Sequence, residues 1–427
     1  MPGHKGRGDM GVESADITEI DGADVLYSAR GIIKQSEENA SALFGTGRTL
    51  YSTEGSSLSI RAMLYLACLW GRSEGRSGTV LAAANAHKVF MSTCALLDID
   101  PIWIRGEENT LISCHISEEL LDGELKRLVA EGIRPFAVYL TSPDYLGNRL
   151  DIGALSAVCH RWGALCIVDN AHGAYLAFTE DKAHPIELGA DMCADSAHKT
   201  LPALTGAAYL HISRSAPRLI SEQAENAMSL FASTSPSYLI LQSLDYVNKY
   251  LSSGYREKLE VFSKKLESIK IRLSALGYEL LGNEALKLTV APKSYGYYGY
   301  ELGELLLKEG IVCEFCDRDF CVMMLTPEIC DGELEGLEAC LLNIERKAPI
   351  TEEMPKKGVA KRAMSLRDAL MSVSVERNVR ECEGEILANA AVSCPPAVPI
   401  LISGEIIDKD AMAAFEYYGI EKCFIVK

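Results

Sequence analysis

The stretch "DSAHKTLPALTGAAYLHIS", residues 195–213, sets a lysine, Lys199, directly after a histidine in a run of small and apolar residues. No other lysine or arginine shares the stretch, whereas lysines on a solvated face usually come with further charges. The stretch joins two strand-like runs, "DMCADSA" (191–197) and "AAYLHIS" (207–213), so Lys199 is expected on a loop at a strand end. Those runs close a series that begins with "GTVLAAANA" (78–86) and "DPIWIR" (100–105) and continues with "FAVYLTSP" (136–143) and "ALCIVDNA" (164–171). Helix-like segments such as "SEELLDGELKRLVAEG" (117–132) and "LDIGALSAVCHRWG" (150–163) lie between them. Alternating apolar strands and helices predict an α/β fold, a mostly parallel sheet covered on both faces. Ligands of such sheets bind at the carboxyl ends of the strands.

Outside this region the pattern changes. Residues 235–277 keep a helical spacing of apolar positions and are expected to bridge two domains. Beyond them "LKLTVAP" (286–292), "GYELGELLLKEGI" (299–311) and "CVMMLTPE" (321–328) mix strands with helices, and 345–362 reads as a polar linker. A chain of 427 residues favours two domains. The expected division is an amino-terminal segment with a large domain over 1–250, then a bridging helix with a smaller α+β domain over 251–427.

The net charge of −17 argues against nucleic acid as a main partner, since phosphate backbones require clustered Lys and Arg. No apolar run of membrane-spanning length is present, and the start "MPGHKGRGDMG" has no apolar core of a signal peptide. Fourteen cysteines without a framework spacing then suggest free thiols in the reducing cytoplasm. Cys313 and Cys316 form one C-x-x-C within "CEFCDRDFC", read as a half-buried strand end. No histidine or second C-x-x-C accompanies it, so no metal site is expected.

Four features carry chemistry. A lysine partly withdrawn from water has a lowered pKa and becomes a nucleophile able to condense with an aldehyde. Asp169 ends "ALCIVD" and, if buried, needs a cationic or hydrogen-bonding partner; its bland role is to cap the turn "NAHG". "STEGSSLSIRAMLYLACLWG" (52–71) is a Gly-Ser turn opening a helix, where backbone N–H groups and the Ser56 and Ser57 hydroxyls make an anion site. Ser196 and His198 flank the lysine and add phosphate or ring contacts. His87, after the strand at 78–86, is placed either to stack on a flat heteroaromatic ring or simply to bond backbone; His172 has the same two readings.

An anion turn, a stacking residue, a strand-end carboxylate and a lysine, in this order, resemble fold-type I pyridoxal-phosphate enzymes. Within them the chain resembles the ornithine/lysine/arginine decarboxylases, through "MPGHKGR" (1–7), "DITEIDGADVL" (16–26), "EGSS" (54–57), "NAHK" (85–88), "LTSPDYLG" (140–147), "DNAHGA" (169–174), "SAHKTLPALT" (196–205) and "STSPSY" (233–238). The likeness is close over about residues 1–245 and looser at "CEFCDR" (313–318) and "CPPAVPILISGE" (394–405). Family members usually carry a helical stretch ahead of the first signature, and "LYSARG" (26–31) departs from the family pattern.

The resemblance implies an aspartate-aminotransferase-like fold with a mostly parallel seven-stranded sheet, and pyridoxal 5'-phosphate as cofactor. Lys199 would hold the cofactor covalently, Asp169 would pair with its ring nitrogen and His87 would stack on its ring. Gly55, Ser56, Ser57, Ser196 and His198, with His172 nearby, would surround the phosphate and ring. The active site would lie at the interface of a homodimer or higher oligomer, with Thr234 reaching the partner's phosphate. The implied reaction is α-decarboxylation of lysine, ornithine or arginine to a polyamine or its precursor, with Lys199 or His198 returning the proton. Glu54, Asp144, Glu314 and Asp317 are candidates for the substrate's distal cation. The alternatives are another reaction of the same cofactor, such as transamination, or an inactive regulatory homologue. No arginine after residue 300 stands in a motif suited to an aminotransferase's carboxylate grip.

Overall fold

The computed structural model describes residues 1–106, 112–355, 360–389, 393–394 and 398–427. The amino-terminal part runs α1 (Ile32–Phe44), β1 (Arg48–Ser52), α2 (Gly55–Ser73), β2 (Thr79–Ala83), α3 (Lys88–Leu97), β3 (Asp100–Ile104), α4 (Glu118–Ala130), β4 (Ala137–Thr141), α5 (Ile152–Arg161), β5 (Leu165–Asp169), β6 (Met192–Asp195), α6 (Ala197–Thr200), β7 (Ala208–Ile212), α7 (Arg218–Phe231), α8 (Tyr238–Leu251) and α9 (Tyr255–Ala275). Seven strands form one sheet in the order β1-β7-β6-β5-β4-β2-β3. β4, β5 and β6 pair in parallel, while β7 runs antiparallel to both β6 and β1. Every residue of β5 is buried, which is why its sequence is a continuous apolar run rather than an alternating one.

The remainder runs β8 (Leu280–Leu281), β9 (Lys287–Val290), α10 (Gly299–Lys308), β10 (Phe315–Cys316), β11 (Cys321–Met324), α11 (Asp331–Asn343), α12 (Leu366–Met371), β12 (Ser374–Asn378), β13 (Ser393–Cys394), β14 (Val398–Pro399), α13 (Lys409–Tyr417) and β15 (Lys422–Val426). β10-β11-β9-β8 form an antiparallel sheet, and β12 pairs with β15.

By compactness the chain divides into two units. The first comprises Met1–Leu81, Glu118–Ser142 and Asp151–Lys258; the second comprises Ala82–Ser117, Pro143–Leu150 and Leu259–Lys427. The second unit has its own core, in which Val322, Leu387, Ile407, Phe415 and Ile425 pack together. Each such side chain contributes about 1.5–3 kcal/mol when fully buried.

Three readings change in detail. Lys199 does not sit on an open loop but on α6, a single helical turn closed by the Leu201 N–H on the Ala197 carbonyl at 2.8 Å. The helical run 235–277 is two helices, α8 and α9, broken where Gly254 takes φ +81°. A first helix and an edge strand, α1 and β1, precede the series, and the short, polar-edged "RTLYS" carries little strand signal. Within 345–362, Lys347 and Ile350 donate their N–H groups to Tyr295 and Lys293, and Glu352 pairs with Arg318. Residues 356–359 of that stretch and 395–397 of "CPPAVP" lie outside the described residues. Among the described residues no helix is long and apolar enough to cross a membrane.

Candidate active site

Asp169 terminates β5 at only 4% exposure. Burying a carboxylate requires donors, and two are present. The Tyr139 hydroxyl donates to Oδ2 at 3.0 Å, and the Ala171 N–H donates to Oδ1 at 3.2 Å. Thr141 of β4 lies beside Asp169, so Tyr139, two residues earlier, faces the same side of the sheet. The turn after Asp169 is closed by the Gly173 N–H on the Asn170 carbonyl at 2.8 Å. A Cβ on Gly173 would meet Asn170 Oδ1 at 2.0 Å, so this position tolerates only glycine without a shift of the asparagine.

That turn delivers His172, which is 6% exposed. Its Nε2 lies 3.0 Å from Lys199 Nζ. The lysine itself is half-buried on α6, one turn beyond the end of β6. An amine in this setting donates to a neutral imidazole or exchanges a proton with it. On the same turn, His198 Nδ1–H donates to the Ala207 carbonyl at 2.9 Å, which leaves Nε2 as the acceptor nitrogen in the neutral ring.

The anion turn opens α2. Gly55 has φ +71° and donates its N–H to the Gly206 carbonyl at 2.7 Å. The side chain of the residue before it, Glu54, does not cap this nineteen-residue helix, so the amides that follow Gly55 and the positive end of the helix dipole face the turn where an anion would sit. Ser196 Oγ donates to Ser56 Oγ at 2.9 Å, joining the residue before α6 to the first turn of α2 across 140 positions of sequence. Ser57 is half-buried in the same turn. Thr234 is exposed on the connection between α7 and α8, and its neighbour Ser233 donates its N–H to Glu54 Oε1 at 2.7 Å.

The first unit therefore brings together Lys199 with His172 and Ser196 with Ser56. His87 belongs to the second unit. There it caps α3, its Nδ1 accepting the Val89 N–H at 3.2 Å, which puts the ring proton on Nε2 in the neutral form. Of the candidate acids in that unit, Asp144 accepts from Ser113 Oγ and from the Asn148 N–H and Nδ2, and Glu314 accepts from the Tyr145 hydroxyl. Asp317 accepts two backbone N–H groups on Oδ1, and burial pushes its carboxyl up to about 7. Sequence reading did not single out Tyr139; the available signal was a hydroxyl in an otherwise apolar strand two residues before the position level with Asp169.

These residues fit pyridoxal phosphate. An uncapped helix start with serine hydroxyls suits a phosphate. Asp169 receives two donors where a carboxylate has about four acceptor positions, so room remains for a ring N–H. A half-buried amine held by an imidazole suits an aldehyde.

Comparison with known proteins agrees with this chemistry. An uncharacterized protein YaaO of Bacillus subtilis (strain 168) is 27% identical over 446 residues, covering 96% of this chain and 89% of that one. An arginine decarboxylase of the same organism is 27% identical over 447 residues, covering 96% and 88%. The constitutive lysine decarboxylase of E. coli superposes with a TM-score of 0.77 at 17% identity, covering 98% of this chain and 76% of that one. This likeness shows the fold, the expected fold type I arrangement. Residues 8–276 match the description "Orn/Lys/Arg decarboxylase, major domain". The chain thus belongs to the Orn/Lys/Arg decarboxylase family of pyridoxal-phosphate-dependent amino-acid decarboxylases.

Proposed function

We propose that this chain removes the α-carboxylate of a basic amino acid, arginine, lysine or ornithine, to give a polyamine or its precursor. The observation that carries this reading is the pairing of Lys199 Nζ with His172 Nε2 in the unit that also buries Asp169. When bound, pyridoxal phosphate supplies an electron sink for the pair left behind by carbon dioxide. Lys199 holds it, and Asp169, oriented by Tyr139, sets a fixed negative charge against its ring nitrogen. Gly55, Ser56, Ser57 and Ser196 hold the phosphate, and His87 stacks on the ring. Thr234 reaches the phosphate of a second copy in a homodimer, and the enzyme works in the cytoplasm.

Proton return falls to Lys199, with His172 as its exchange partner. His198 is the weaker donor, because its Nδ1 proton is committed to the Ala207 carbonyl. Transamination is disfavoured by the arginines after residue 300. Arg318, Arg362, Arg367, Arg377 and Arg380 each face an acidic side chain, and Arg346 lies over the Tyr295 ring.

The test is incubation of the protein, supplemented with pyridoxal phosphate, with the three amino acids together and identification of products by mass spectrometry. Agmatine, cadaverine or putrescine is expected. A 2-oxo acid in place of an amine would overturn decarboxylation in favour of transamination.

A further inference from the structure

We propose that Cys313, Cys316 and Cys321 form a three-thiolate site for a thiophilic d10 cation such as Zn2+, in the second unit. Strand pairing makes the cluster. Cys316 and Cys321 are directly opposite each other on β10 and β11. The Asp317 N–H bonds to the Phe320 carbonyl at 3.0 Å just beyond this pair, the pattern of a non-hydrogen-bonded pair, in which side chains stand closest. The Cys316 and Cys321 sulfurs lie 3.2 Å apart, and the Cys321 and Cys313 sulfurs 3.5 Å apart. All three lie within 4.8 Å of one another.

Two further observations set this cluster apart from cysteines packed as small apolar side chains. First, α10 carries a glycine in its interior, Gly303, where a Cβ would meet Cys316 Sγ at 2.5 Å. A mid-helix glycine is disfavoured relative to alanine, and here its missing side chain leaves the space the sulfur occupies. Second, the site is open. Cys313 and Cys316 are half-buried and Cys321 is buried, so an ion can enter from one side. The other three-ligand group among the described residues, His184, Asp195 and His211, is sealed at 1%, 0% and 0% exposure.

A tetrahedral zinc with Zn–S bonds near 2.3 Å needs sulfurs about 3.8 Å apart, so the cluster has to open by a few tenths of an ångström. As the cation binds, the thiol protons still present leave to solvent, so binding strengthens as pH rises. The fourth position falls to water.

The experiment uses the full holoenzyme in reducing, metal-free buffer. Equilibrium dialysis against Zn2+ is expected to show one tight equivalent per chain, weakened at least about tenfold in Cys313→Ser and kept in Cys330→Ser, an exposed thiol outside the cluster. In the wild-type protein, Zn2+ is expected to protect Cys313 and Cys316 from iodoacetamide, read by peptide mass, which makes the result independent of any variant's folding. Equal Zn2+ binding by wild type and Cys313→Ser, unchanged alkylation, or a Cys316–Cys321 disulfide in the freshly reduced protein would overturn the assignment.

Discussion

Asp169 and Asp195 end neighbouring parallel strands, both are buried, and they have opposite surroundings. Asp169 lies level with Ala194, so Asp195, one residue further, points to the other face of the sheet. There the protein itself surrounds Asp195. His184 Nε2 lies 3.0 Å and His211 Nε2 3.4 Å from Oδ2, while Asn170 Nδ2 donates to Oδ1 at 2.8 Å and the Cys193 thiol at 3.6 Å. Burial alone would raise its carboxyl, but the two imidazoles overcome burial and hold it well below the ordinary range. Among the described residues Asp169 receives the Tyr139 hydroxyl and the Ala171 N–H and no further donor. The carboxylate that its own fold saturates belongs to structure; the one left with acceptor positions is available to a ligand.

Substitutions break this comparison in graded ways. The largest effect is expected at the amine paired with His172: Lys199→Ala should leave no turnover above background in an amine-release assay, with the melting temperature little changed. Asp169→Asn should lower kcat by roughly 10²–10³-fold, as when one fixed electrostatic partner is removed, again with little loss of stability. Asp195→Asn should do the reverse, costing about 3 kcal/mol in denaturant unfolding because two imidazoles lose their carboxylate, while the fraction that remains folded turns over near normally. Equal stability losses from the two asparagine variants would erase the distinction.

The smallest effect separates the two faces by pH. Burial lowers the His211 pKa, so the folded protein keeps this imidazole neutral where the unfolded chain protonates it. The unfolded state therefore binds more protons below the ordinary value of 6.5, and stability falls as pH drops through that value. Asp195 adds to the loss only at lower pH, as its depressed carboxyl is finally protonated. Melting temperatures of wild type should decline from pH 6.5 downward, and His211→Gln should flatten that part of the curve. An unchanged slope would mean that other groups set the acid limit.

Much of the fold, and the residues of the candidate site, could be read from the sequence because their signals are local. The apolar period marks β4, β5, β6 and β7, a carboxylate closing an apolar run marks Asp169, and a lysine among small residues marks Lys199. Edge strand β1 was not legible, since five residues beginning with arginine carry little period and the strand is held by its pairing with β7. The same limit explains Cys321. "CEFCDRDFC" shows three cysteines at unequal spacing, and only the antiparallel register of β10 and β11 sets Cys321 opposite Cys316. The sequence alone therefore determined which residue types stand at strand ends and helix starts, because periodicity and turn chemistry act over a few neighbours. Only the tertiary structure decided that Tyr139 meets Asp169, that His172 meets Lys199 and that Ser196 meets Ser56, because strand register and helix packing join residues 27 to 140 positions apart and no local preference encodes that choice.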